Sequence, residues 1–184
     1  VYVSAYDDPW VIAGQGTIGL EIGDQTDGRA VGAVLAPLSG GGLIAGIAGA
    51  MSEREARPRI VGVSAEHAAV MLASVRAGRP VELPEEDTLA NALAGGIGLD
   101  NRYSFDLVRD RVDEHVLVTE SQIAVAMRFA VERLHMVVEG GGAVALAAVL
   151  AGLWDPPVAD GAVVIVLSGG NVAAGTLVEV LGAA

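Results

Sequence analysis

The sequence predicts an α/β fold: an open, mainly parallel twisted sheet with helices on both faces. Three observations predict it. Short aliphatic runs recur at Val31 to Leu35, Arg59 to Ser64, His115 to Val118 and Ala162 to Leu167. Those runs lack the polar alternation of a half-solvated strand, as strands covered on both faces do. Stretches with helical spacing or helix-capping residues lie between them, the pattern of repeated βαβ units.

Taken in order, Val1-Tyr2-Val3 reads as the end of a strand. Asp8-Pro9 then supplies an N-cap and a proline for the first helical position. Val11, Gln15, Ile18 and Ile22 follow at helical spacing, and Gly23 and Gly28 flank a polar turn. The strand from Val31 to Leu35 leads through Ser39-Gly40-Gly41-Gly42 into a small-residue helix from Leu43 to about Met51. The uncharged run from Ala30 to Ser52 is long enough to span a membrane. Pro37 and the triple glycine would leave backbone groups unsatisfied in lipid, so it reads as a buried strand, loop and helix.

Arg59 to Ser64 is the next strand, and Glu66 to Arg76 a helix closed by Gly78 and Pro80. Glu82 to Asp100 is irregular, with glycines at 95, 96 and 98. After the strand His115 to Val118, Thr119 to Gln122 matches a capping box. Ile123, Met127, Ala130 and Leu134 form the buried stripe of that helix. Gly140-Gly141-Gly142 precedes an aliphatic helix to about Leu153. Ala162 to Leu167 reads as the clearest buried strand, followed by Ser168-Gly169-Gly170-Asn171 and a last helix ending near Leu181.

Composition removes whole classes of function. Of 184 residues, 23 are acidic and 11 basic, a net charge of −12, which argues against a nucleic-acid partner. An apolar content of 52% argues against disorder. There is no cysteine, hence no disulfide, thiolate metal site or thiol nucleophile. Every basic residue is arginine, and without lysine no side chain can form a Schiff base. No basic stretch followed by an apolar run opens the chain, so no signal peptide is expected.

Three places are candidates for chemistry. The first is the loop at Ser39 to Gly42, after a strand and before a helix. Its N–H groups can converge on an anion with help from the helix dipole, and glycines let the backbone come close. A plain tight turn is the alternative. Gly40, Gly42 and Ala45 also fit a loose G-x-G-x-x-A, with Glu66 after the next strand as a ribose carboxylate, which keeps a dinucleotide-binding oxidoreductase domain open. The second is Ser168-Gly169-Gly170-Asn171, at the C-terminal end of a strand, where open α/β sheets bind ligands; an ordinary turn with an N-cap fits as well. The third is Glu139, before the second triple glycine, either facing a ligand or placing charge at a helix N-terminus. His67, His115 and His135 are isolated and show no metal-ligand spacing. Glu85-Glu86-Asp87, and likewise Asp110, Asp113 and Glu114, read as solvated surface.

The segments AGQGTIGLEI (13–22), LSGGGLIAGIA (38–48), LANALAGGIGLDN (89–101), VEGGGAVALAAVL (138–150) and VLSGGNV (166–172) together resemble the serine/threonine dehydratase family. These are fold type II pyridoxal-phosphate enzymes, a group that includes serine racemase. PLSGGGLIAG with GGIGLDNR looks most like the hydroxyectoine-utilisation dehydratases. The resemblance implies that the chain is most of the family's large domain. It implies that Ser39, Gly40, Gly41, Gly42 and Leu43 hold the phosphate of pyridoxal 5'-phosphate through backbone N–H groups. Ser168, with Gly169 beside it, would face the pyridine nitrogen, and Glu139 would lie beside the ring. Asn91 and Ala92 fall on the substrate side, where the family usually has Asp-Gly. Ser64 and Val70 stand where some members have cation ligands, so no metal site is expected.

The family's Schiff-base lysine precedes all these motifs, so residues 1–184 are expected to be a C-terminal part without the N-terminal catalytic half. No catalytic residue is assigned within them. The complete enzyme implied is a cytoplasmic homo-oligomeric ammonia-lyase, a dimer, turning a hydroxy-amino acid into a 2-oxo acid and ammonia, with no nucleic-acid or membrane partner. The segment alone is expected to be inactive. A non-catalytic phosphate- or pyridoxal-phosphate-binding module is the reading from a different class.

Overall fold

The computed structural model describes residues 2–27, 29–52, 54, 56–156 and 161–182. Val1 and Gly28, read above as part of a strand end and as a turn flank, lie outside the described residues. Among the described residues four strands form one parallel sheet: β1 (Val31–Pro37), β2 (Arg59–Ala65), β3 (Glu114–Val118) and β4 (Ala162–Ile165), in the order β3-β2-β1-β4. Leu35 is paired with Val61 on one side and Ile165 on the other, and Val63 with Val116.

The helices are α1 (Pro9–Gln25), α2 (Gly42–Ser52), α3 (Val70–Ala77), α4 (Ser104–Arg111), α5 (Glu120–Phe129), α6 (Gly140–Leu150) and α7 (Ala174–Gly182). Successive residues of a strand point to opposite faces, so the central strands feed two cores. Ala33, Leu35, Val61 and Val63 pack with Ile123, Met127, Val144 and Leu146 of α5 and α6. Val34, Ala36 and Ile60 pack with Ile44, Ile47 and Met51 of α2 and with Met71, Phe105 and Val108. Helices therefore cover both faces, as the sequence predicts. Among the described residues no helix is long and apolar enough to cross a membrane.

Several local expectations need correction. Tyr2 and Val3 are exposed and belong to no strand, since no described strand runs alongside to pair with them. The proline and the Asp8 cap of α1 form as expected, with the Asp8 carboxylate accepting from the N–H groups of Trp10 and Val11. The helix expected from the spacing of Val11, Gln15, Ile18 and Ile22 is present, and its buried face is Ile12, Gly16, Gly19 and Ile22. The reason is contact with α2. A Cβ on Gly46 would lie 2.7 Å from the Gly16 nitrogen, so the two backbones meet through small residues rather than through large side chains.

The helix expected from Glu66 to Arg76 is a short 3-10 turn, Glu66–Ala68, and then α3, closed by Gly78 at φ 70°. The helix α4 is not signalled in the sequence. The Thr119 capping box forms as expected, and Ile123, Met127 and Ala130 are buried. Leu134 is exposed, because the helix passes into a π turn over Ala130–Leu134 and the stripe loses phase. The glycines 140–142 do not precede α6 but form its first turn, and the helix ends at Leu150 rather than near Leu153. β4 is half-buried rather than the most buried strand, because it lies at the sheet edge.

Candidate cofactor site

The candidate residues gather at the C-terminal end of the sheet, and a continuous set of contacts joins them. Beyond β1, Ser64 of β2 donates to the Leu38 carbonyl oxygen at 2.6 Å and shapes the turn into the glycine loop. The first α-helical bond of α2 runs from the Ala45 N–H to the Gly41 carbonyl oxygen. The N–H groups of Gly42, Leu43 and Ile44 therefore have no acceptor within the helix, and the positive end of its dipole lies there. Gly40, Gly41 and Gly42 are buried, with Ser39 and Leu43 half-buried at the rim.

The triple glycine answers packing more than turn geometry. Gly41 alone of the three has a positive φ, at 89°. A Cβ there would lie 2.8 Å from Val108 and 2.9 Å from Met71. A Cβ on Gly40 would overlap the ring of Tyr6, and one on Gly42 would lie 2.7 Å from the Tyr6 Cα. These positions have room for backbone only, which is what a cradle that approaches an anion through N–H groups requires.

The Ser39 hydroxyl donates to the Leu93 carbonyl oxygen at 2.9 Å. That bond ties the loop to the 3-10 turn Asn91–Leu93, where Asn91 and Ala92 are exposed. The turn is held from below by Glu120, which opens α5. Its carboxylate accepts from the Thr88 hydroxyl and from the Leu89 N–H, both at 2.6 Å. The segment then presses on α6. A Cβ on Gly140 would overlap the Leu89 carbonyl, and one on Gly141 would lie 3.3 Å from Ala92 and Leu93.

The last link joins α6 to the loop after β4. A Cβ on Gly142 would lie 2.7 Å from the Gly169 nitrogen. Glu139 occupies the N-cap position of α6 without a side-chain cap bond. Its N–H donates to the Gly169 carbonyl oxygen at 2.9 Å, and its carboxyl group lies where a Cβ on Gly169 would be. Ser168 beside it is exposed. Of the alternatives left open for Glu139, the structure shows the placement at a helix N-terminus, with the side chain against Gly169.

Three residues of this region carry no functional motif in the sequence. Tyr6 covers the glycine loop, Asp7 next to it binds the start of α4, and Glu120 anchors the Asn91 turn. The acidic first turn of α5 is the one local signal among them; the partners of Tyr6 and Asp7 are about 90 residues away in sequence. Asp113, expected as solvated surface, accepts from the Ile60 N–H at 2.7 Å and pairs with Arg57 at 2.9 Å. Glu85, Glu86 and Asp87 are exposed, as expected, and so is Glu66. Val70 is buried, and Ser64 is used by the Leu38 turn. Among the described residues no group of three His, Asp or Glu side chains converges as metal ligands do. A groove of about 660 Å³ lies at the opposite end of the sheet, between Ala30, Arg57, Arg59 and Asp113, away from all the glycine loops.

This arrangement has relatives. Residues 1–170 match the family described as pyridoxal-phosphate dependent enzyme. The chain is 44% identical over 174 residues to the L-threonine ammonia-lyase of Geobacter sulfurreducens, covering 94% of this chain and 41% of that protein. It is 40% identical over 172 residues to the catabolic L-threonine dehydratase of Escherichia coli strain K12, covering 94% and 51%. Its fold is similar to that of maize serine racemase, with a TM-score of 0.86 and 33% identity over 97% of this chain and 54% of the other. The chain thus spans about half the length of the relatives it matches. The dinucleotide fingerprint read from Gly40, Gly42, Ala45 and Glu66 gives way to this family.

Proposed function

The chain belongs to the pyridoxal-phosphate dependent enzymes, in the fold type II group of serine/threonine dehydratases and racemases, and we propose that it forms the cofactor-holding part of a threonine or serine ammonia-lyase. The observation that carries the reading is the contact path from the Gly40–Gly42 loop through Leu93 and the α6 glycines to Gly169 and Glu139. It brings three separate glycine segments, two loops and a first helical turn, to the strand ends where an open α/β sheet binds its ligand.

The residues present fit the cofactor. Space for backbone alone at Gly40, Gly41 and Gly42, beside N–H groups without helical acceptors, suits a phosphate held through Ser39 to Leu43. The Ser168 hydroxyl would hydrogen-bond to the ring nitrogen without contributing a charge. Glu139 and Gly169 would border the ring, and Asn91 and Ala92 the substrate. When bound, the cofactor supplies the electron sink for losing the β-hydroxyl of a hydroxy-amino acid. The products would be a 2-oxo acid and ammonia.

The chain contains no lysine, so the covalent anchor and the base for the α-proton would come from sequence outside residues 1–184. Residues 1–184 would then be a C-terminal part of the whole enzyme. PLSGGGLIAG and GGIGLDNR support the hydroxyectoine-utilisation branch as its substrate class. A homodimer working in the cytoplasm is the assembly and location proposed with it. The missing lysine also favours a second reading, a module that binds pyridoxal phosphate without catalysis.

The test is to titrate this chain with pyridoxal phosphate and to assay it with serine and threonine. Saturable binding that inorganic phosphate displaces, without an imine absorbance band and without 2-oxo acid, is the expected result. Turnover by these residues alone would overturn the assignment of the base to outside sequence. Restored turnover on adding the lysine-bearing portion of the enzyme would separate the lyase from the binding module.

A further inference from the structure

The glycine loop is clamped between two layers. On one side Gly41 faces Val108 of α4 and Met71 of α3. On the other, Gly40 lies against the Tyr6 ring and Gly42 against the Tyr6 main chain. Tyr6 is itself held at two points. Its hydroxyl donates to the Gly96 carbonyl oxygen at 3.1 Å, and its N–H donates to the Ser4 hydroxyl at 3.4 Å. The next residue, Asp7, accepts from the N–H groups of Arg102, Tyr103 and Ser104 at 2.8 to 2.9 Å. Tyr6 and Asp7 together therefore fasten the approach to α1 onto the segment from Gly96 to α4, with the glycine loop beneath.

Three consecutive glycines have more backbone freedom than any other tripeptide, and a loop that wanders holds an anion poorly. Something must restrict them if their N–H groups are to stay aimed. We propose that Tyr6 is a positioning residue for the phosphate loop, its ring and main chain fixing Gly40 to Gly42 before any anion arrives. The inference rests on the reading of Ser39 to Leu43 as the phosphate cradle. Within it, the ring contact sets the loop's rigidity, and the hydroxyl bond to Gly96 serves only to keep the ring in place.

Backbone ¹⁵N relaxation of the ligand-free protein tests this without any cofactor. Order parameters at Gly40 to Leu43 of about 0.85 are expected in the unaltered protein and in Tyr6→Phe, falling below about 0.6 in Tyr6→Ala. A loop already mobile in the unaltered protein, or still rigid in a folded Tyr6→Ala, would overturn the proposal. Inorganic phosphate is the binding probe. Tyr6→Ala should weaken its binding by roughly tenfold or more, while Tyr6→Phe stays within about threefold.

Gly40→Ala adds a cycle. Its Cβ collides with the Tyr6 ring, so it should cost much more phosphate affinity in the unaltered protein than in the Tyr6→Ala background. Equal costs in both backgrounds would remove the contact as the cause. If Tyr6→Ala does not fold, Tyr6→Leu, which keeps apolar bulk but removes the ring, takes its place with the same expected loss of order, and a mobile loop in the unaltered protein, or a Tyr6→Phe variant that loses affinity as severely as Gly40→Ala does, still overturns the proposal. Failure of the unaltered protein to bind phosphate and pyridoxal phosphate would sink the cradle reading itself, whereas a mobile loop that binds both would sink the role of Tyr6 alone.

Discussion

The carboxyl group of Glu139 lies where a side chain on Gly169 would begin, and the two residues are also joined by the 2.9 Å bond from the Glu139 N–H to the Gly169 carbonyl oxygen. A helix N-terminus and the loop after an edge strand are thereby fixed to each other at one contact. Gly169→Ala is expected to push Glu139 aside and to destabilise the fold by about 1–3 kcal/mol, the usual cost of overpacking. In urea denaturation, combining it with Glu139→Ala should cost clearly less than the two changes summed, because the collision is then gone.

Asp7 accepts three N–H groups at the start of α4. Asp7→Ala leaves those donors without a partner and should cost about 1–2 kcal/mol, as losing a strong helix cap does. Local amide exchange in α4 should rise more than that in the central strands. Equal exchange in the variant and the unaltered protein would show that the cap does not hold the helix.

Two of the three glycines of α2, those at 46 and 49, should respond in opposite directions. A Cβ on Gly46 overlaps the Ile12 carbonyl and stands 2.7 Å from the Gly16 nitrogen, while among the described residues nothing lies within 4 Å of one on Gly49. Gly46→Ala is expected to lower the thermal midpoint through about 1–3 kcal/mol of overpacking. Gly49→Ala should raise it through up to about 1 kcal/mol of helix propensity. Similar shifts in both would mean that α1 and α2 are not in backbone contact.

Burial, with a smaller contribution from the nearby Arg76, pushes the His115 imidazole below its ordinary value. Its Nε2 is buried without a hydrogen-bond partner among the described residues. The unfolded chain therefore binds the proton more readily than the folded one. The stability this provides is complete above the ordinary histidine value of 6.5 and is lost as pH falls below it toward the folded-state value. His115→Leu should flatten that part of the stability profile, measured as urea midpoints across a pH series. An unchanged slope between pH 7 and 5 would count against it.

The order of elements was readable because each strand and most helices carry their own local signal. Pro9 with Asp8 starts α1, Thr119 with Gln122 starts α5, and the runs at 31–35 and 59–64 are apolar throughout. The signal failed where a distant group did the work. α4 has no capping side chain of its own at Tyr103, since its donors go to Asp7 and Asn101. Leu134 fits the stripe of α5 by spacing alone, and the π turn that exposes it has no mark in the sequence.

The sequence by itself determined the α/β class, the glycine loops and the family, because aliphatic runs, caps and glycine clusters are properties of neighbours along the chain. The tertiary structure decided why those glycines are glycines. Gly40 yields to Tyr6, Gly140 to Leu89, Gly142 to Gly169 and Gly169 to Glu139, each a contact between separate segments. It also decided which acidic residues tie separate segments together, Asp7 and Glu120 rather than the exposed cluster at 85–87. A carboxylate has the same pattern in sequence whether it meets water or three N–H groups, and only the folded chain brings those donors within 3 Å of it.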